Sequence, residues 1–178
     1  MTDSPSLRPI GNTSFMKPPQ KRFIAVSFLV AFMLDLIPLS DALIPYRVDF
    51  VALVLLYWCT FAPNRVGLLI AFLMGVLVDV ANASLFGQHA CNYVLIAFGA
   101  LLLRHRMLSF PLWQQTLFVA LICEACIALT FIIRALVGND IAVSPAYLIV
   151  PAVAALILWA PISFILQYPQ RKAASPAA

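Results

Sequence analysis

VDFVALVLLYWCTFAPNRVGLLIAFLMGVLVDVA, residues 48–81, decides the architecture. Two apolar runs, 48–62 and 65–81, meet at Pro63-Asn64, where the one cation of the stretch, Arg65, also sits. Long runs of this kind, with charges gathered in the gaps, mark a chain that threads a bilayer repeatedly. Working outward, similar runs occupy 23–39, 90–103, 115–137 and 145–167. The pattern predicts an all-α polytopic membrane bundle of six transmembrane helices over residues 23–167. A cytoplasmic N-tail of residues 1–22, rich in Pro, Ser and basic residues, is expected to be disordered, and 168–178 form a polar cytoplasmic C-tail.

Composition agrees. Of 178 residues, 63% are apolar and 10% charged, where a soluble domain carries about a quarter charged residues. The net charge of +4 does not indicate nucleic acid, because the cations are dispersed at span ends and form no dense patch. Cys59, Cys91, Cys123 and Cys126 all fall inside spans, where a thiol behaves as a small apolar group. Cys123-x-x-Cys126 has no second pair to complete a zinc site, so neither metal nor cofactor is expected. The first run contains Asp35 and lacks a clear small-residue cleavage site near residues 39–42, which favours a retained span over a signal peptide.

Spans 2 and 4 hold only about 14–15 apolar residues, against about 20 for a full crossing. Either they are re-entrant, or they cross with polar ends sheltered inside the bundle. The second reading is preferred because the charge arithmetic then works. With the N-terminus inside, nine of eleven cations, Arg65, Arg104 and Arg106 among them, lie on the inner side, and only Arg47 and Arg134 lie outside. That is the positive-inside bias of a bacterial inner-membrane protein. Phe110-Pro111-Leu112-Trp113 reads as an inner loop with Trp113 as an interfacial anchor. Tyr57 and Trp58, near the inner end of span 2, read as anchors of the same belt.

Ionisable residues within spans each need an account. Helix rise places Asp35 roughly 20 Å, Asp79 roughly 21 Å and Arg134 roughly 28 Å from the inner ends of their spans. All three then sit in the outer part of the membrane. One reading is a polar cavity or ion path opening outward. The favoured one is an interhelical ion pair of Arg134 with Asp35 or Asp79. Glu124 lies deeper, with no cation in reach along its own helix. Its neighbours Ala125, Cys126 and Ala128 make a helix-packing face the favoured reading and a proton site the other. Asp79, Ser84 and His89 could be drawn as a hydrolytic triad, but no G-x-S-x-G surrounds Ser84. Gly87-Gln88-His89 reads better as a tight outer turn that caps span 4 or bonds back to span 3. There is no P-loop, dinucleotide fingerprint or H-E-x-x-H.

Several ordered motifs in the middle third carry a resemblance. They are Leu56-Tyr57-Trp58 before Ala62-Pro63-Asn64-Arg65-Val66-Gly67, Gly75-Val76-Leu77-Val78-Asp79-Val80, Leu85-Phe86-Gly87-Gln88-His89-Ala90, Arg104-His105-Arg106, and Phe110-Pro111-Leu112-Trp113-Gln114-Gln115. This resembles the rod shape-determining protein MreD family. Val76 departs from the usual Leu, and Asn82-Ala83-Ser84 lacks the common Gly. The resemblance implies a non-catalytic inner-membrane component of the wall-elongation complex (the elongasome) that helps to organise peptidoglycan synthesis. It implies binding to MreC, indirect association with MreB, the glycosyltransferase RodA and the transpeptidase PBP2, and no enzymatic activity. It also implies a likeness to the six-span substrate-binding subunits of vitamin transporters. The competing functions are therefore an assembly protein, a small-molecule-binding transporter subunit, and, least favoured, an intramembrane enzyme using Glu124 or His89.

Overall fold

The computed structural model describes residues 19–37, 48–84, 86–136 and 146–174, with side chains excepted at 133–136, 146–148, 151 and 168–174. The expectations for residues 1–18 of the N-tail, for Arg47 and for the side chain of Arg134 lie outside the described residues, while Lys21 and Arg22 of the expected tail already belong to the first helix. Among the described residues there are six helices and no strand: α1 (Lys21–Asp35), α2 (Phe50–Phe61), α3 (Leu68–Ala81), α4 (Gln88–Ser109), α5 (Leu112–Leu136) and α6 (Ala146–Ala174).

α2 is the heart of the bundle. Each residue from Val51 through Thr60 is buried, as expected of a helix apolar all round. α1, α4 and α6 pack against it, α3 and α5 pack on α4, and α5 packs on α6. At one end of α2, the Phe23 ring meets Trp58 edge-on at 5.9 Å, and Trp58 Nε1 donates to Ser27 Oγ at 2.8 Å. Tyr57 lies against Trp58, Phe61 and Trp159.

The outside of the bundle is as apolar as its interior. Val26, Leu29, Val30 and Met33 on α1, and Leu69, Phe72, Leu73 and Leu77 on α3, are all exposed. A water-soluble monomer rarely shows a contiguous apolar patch beyond a few hundred Å². Among the described residues one segment, Leu112–Ile132 of α5, is long and apolar enough to cross a membrane by itself. α2, α3 and Ala152–Gln167 of α6 are apolar but shorter.

Three boundaries differ from the sequence reading. Arg104-His105-Arg106 is not a loop: α4 runs through it to Ser109. Arginine is a good helix former, and the helix stops where Pro111 forces Phe110 into extended geometry (φ −91°, ψ 147°). Trp113 is accordingly on the first turn of α5, 63% exposed, and not in a loop. α6 continues through Pro151, Pro161 and Pro169 to Ala174, well into the expected polar tail.

Candidate functional site

α2 is short, about 18 Å by its rise, and its ends are inside the bundle. The free N–H groups at a helix start and the free carbonyls at its end need partners wherever water is excluded. The chain supplies them from other elements. Asp35, the last residue of α1, accepts from Phe50 N (2.9 Å) and Val51 N (3.1 Å). Asp49 accepts from Ala52 N at 2.8 Å as the N-cap. At the other end of α2, Arg104 Nε donates to the Thr60 carbonyl at 2.9 Å. Carboxylates at the start and a guanidinium at the end match the helix dipole.

Asp79 does the same for α4. Its carboxylate accepts from the backbone N–H groups of Gly87 (2.8 Å), His89 (2.9 Å) and Ala90 (3.3 Å). It also accepts from Ser84 Oγ and faces His89 Nδ1, both at 2.8 Å. Gly87 makes the corner possible with φ of +95°, a conformation that costs glycine nothing. Gln88 is buried beside it. Gly87-Gln88-His89 forms a tight turn between α3 and α4, with His89 bonding back to Asp79 of α3.

The two carboxylate clusters connect. Fully buried Tyr93 donates its hydroxyl to Asp49, 2.7 and 2.9 Å from the two carboxylate oxygens. Its ring lies edge-on to His89 at 6.1 Å. A polar layer thus runs from Asp35 through Asp49 and Tyr93 to His89, Asp79 and Ser84, at one end of the bundle. Lys21, Arg65 and Arg104 gather at the opposite end, because α1 and α3 run antiparallel to α2 while α4 runs parallel to it. Removing the Tyr93 hydroxyl leaves the half-buried Asp49 carboxylate one donor short. Tyr93→Phe is expected to destabilise the protein by about 2 kcal/mol, the value of a hydrogen bond to a charged group. The measurement is the midpoint of detergent-driven unfolding in mixed micelles.

Asp79, Ser84 and His89 do meet, but not as a hydrolytic triad. Ser84 donates to Asp79, and both face the same ring nitrogen, Nδ1, of His89. A triad needs the serine on the nitrogen remote from the carboxylate. The ion pair expected for Asp35 or Asp79 turns on Arg134, whose side chain lies outside the described residues. What the described residues show is a different way of holding a buried carboxylate, against the N–H groups of a helix start. Glu124 is on α5, and its Oε1 is shielded without a hydrogen-bond partner among the described residues. Cys126 is buried beside it, while Ala125 and Ala128 face outward. Tyr57 and Trp58 are wholly buried (0% exposed) and do not form an interfacial belt. Arg65 is at the α2–α3 turn, half-buried.

Asp49 and Tyr93 are the members of this layer that sequence reasoning missed. Asp49 was legible, since an Asp directly before an apolar run is an N-cap signal. Tyr93 carried no signal of its own.

Comparison with known proteins adds the family. Residues 20–169 match the family described as rod shape-determining protein MreD. The chain belongs to the MreD family. The match takes in all six helices but the last turn of α6, and with it both capped helix starts. The Rod shape-determining protein MreD of Haemophilus influenzae is 34% identical over 114 residues, 62% of this chain and 64% of that relative. The aligned chain thus spans a little under two thirds of the relative's length. No solved structure matches the chain. MreD membership and the apolar exterior together fit a membrane protein.

Proposed function

We propose that this chain is a non-catalytic, six-span inner-membrane component of the machinery that maintains rod shape, and that it acts by binding MreC. The observation that carries the reading is the family match over residues 20–169. It is supported by an apolar exterior and by the separation of charge in the bundle. Lys21, Arg65 and Arg104 lie at one end, and Asp35, Asp49 and Asp79 at the other. The positive-inside bias then puts the basic end, both tails and the α2–α3 turn in the cytoplasm. α2 and α3 are too short to cross about 30 Å of hydrocarbon as bare helices. The side chains of Asp35, Asp49 and Arg104 let α2 end inside the bundle without stranded backbone groups.

MreC carries a single span, so contact is made through helices. The partner's apolar helix docks on the outward face of α5, where Ala125 and Ala128 allow close backbone approach between Leu121 (64% exposed) and Ile132 (56%). Association with MreB, RodA and PBP2 follows indirectly through MreC. The small-molecule-binding alternative has no support in the family or the relative matched.

The test is co-purification in mild detergent. Tagged protein is expected to retain MreC, and depletion to round up rod-shaped cells. Ala128→Trp, which fills the docking face without touching the polar layer, is expected to cut MreC recovery by at least about tenfold, the loss of roughly 1.4 kcal/mol or more. Undiminished recovery would move the interface elsewhere; retention of no wall-synthesis protein would remove the reading itself.

A further inference from the structure

α1 packs on α2 and α3 packs on α4, and a lateral groove of about 730 Å³ is lined by residues of α1, the α2–α3 turn and α3. Its walls are Ile24, Phe28 and Phe32 of α1 and Ile70, Met74 and Leu77 of α3. Its basic end carries Lys21, Asn64 and Arg65. Among the described residues neither Lys21 nor Arg65 has a carboxylate within ion-pair distance. The groove is therefore hydrocarbon along its length and cationic at one mouth.

We propose that this groove holds an acyl chain of an anionic phospholipid of the inner leaflet, with the headgroup phosphate at Lys21 and Arg65. The inference rests on the membrane reading of the bundle and on no protein partner.

Length and charge favour a lipid. From Lys21 to Phe32 the groove runs roughly 17 Å by helix rise, close to the half-thickness, about 15 Å, of a bilayer's hydrocarbon core. An inner-leaflet chain entering at the basic end would thus fill it to the midplane. The walls are apolar side chains of two helices, against which an extended hydrocarbon chain can lie. Finally, basic pockets between spans on the cytoplasmic side are where anionic headgroups bind, and Asn64 adds a hydrogen-bond donor.

The full chain is placed in nanodiscs of equal phosphatidylglycerol and phosphatidylcholine, released, and weighed by native mass spectrometry. Wild type is expected to retain phosphatidylglycerol over phosphatidylcholine by at least about fivefold. The double variant K21Q/R65Q is expected to retain both equally. Ala25→Trp, which fills the groove wall without altering charge, is expected to lose both lipids. Arg22→Gln, one residue from Lys21 but outside the groove lining, is expected to behave as wild type. Equal retention of the two lipids by wild type, or a loss in Arg22→Gln as large as in K21Q/R65Q, would overturn the proposal. So would an A25W protein that keeps its lipid, or a cysteine at Met74 that crosslinks to a co-purified protein helix and not to a photoreactive lipid. The MreC capture above is read separately, so either idea can fail without the other.

Discussion

Asp79→Ala is expected to destabilise the bundle by about 3–5 kcal/mol, since each donor stranded without water costs about 1–3 kcal/mol and such losses add incompletely. The side chain is 1% exposed and takes three backbone N–H groups, a serine hydroxyl and an imidazole nitrogen. Alanine leaves the first turn of α4 without its side-chain cap. Asp79→Asn keeps one acceptor oxygen but turns a new NH₂ donor toward donors, so it is expected to recover no more than about half of the loss. Ser84→Ala removes only one donor from a carboxylate with others remaining, and about 1 kcal/mol is expected. The rank order Ala, Asn, Ser84→Ala, read from unfolding midpoints in mixed micelles, separates capping from a catalytic role. A triad would show no such order, and would make Ser84→Ala the most damaging change in activity while leaving stability intact. An unmoved midpoint in Asp79→Ala would mean that the corner is held by something other than this carboxylate.

What the sequence made legible follows from where water is absent. The run 48–62 is apolar on every side, and α2 is accordingly surrounded on every side. The breakers at Pro63-Asn64 and Pro111 end helices because proline limits the backbone whatever the solvent. The turn at Gly87 was legible for the same local reason, a glycine in the left-handed region. Asp35 and Asp79 were legible as groups that must be accounted for, but not the account. An intramembrane carboxylate can be satisfied by a cation or by helix-start N–H groups, and only the tertiary arrangement of helix ends decides between them. Tyr57 and Trp58 were read by composition, as aromatics near a span end. Their burial depends on α1 and α6 closing over α2, which residue type does not encode. The cations of α4 show the same gap. Arg104 was legible as a topology signal, yet its contact with the Thr60 carbonyl depends on α4 lying parallel to α2, a pairing of elements that are not neighbours in the chain.

The second large effect concerns Gly75, at the closest approach of α3 and α4. A Cβ there would lie 2.6 Å from Ala90 N and 2.7 Å from the His89 carbonyl oxygen, and against the Ala90 Cα. All three are backbone atoms, so no side chain can swing aside. Within a helix, Gly→Ala alone would gain about 1 kcal/mol of helix propensity. Here α4 must retreat, and its first turn is tied to Asp79 through His89 N and Ala90 N. The overpacking cost, about 1–3 kcal/mol and occasionally more, is expected at the upper end, leaving Gly75→Ala destabilised by about 2 kcal/mol net. Gly75→Leu is expected to yield no monodisperse protein. Gly99 on α4 supplies the contrast: a Cβ there meets only the Ile122 side chain, at 3.8 Å and beyond. Gly99→Ala is therefore expected to be neutral or to stabilise by up to about 1 kcal/mol. Coupling follows from the geometry. In Gly75→Ala combined with Asp79→Asn the loosened turn can yield, so the double variant is expected to lose less than the two singles together. Midpoints for the four proteins decide it. Equal shifts for Gly75→Ala and Gly99→Ala would mean that helix propensity, and not the contact of two backbones, governs the α3–α4 pair.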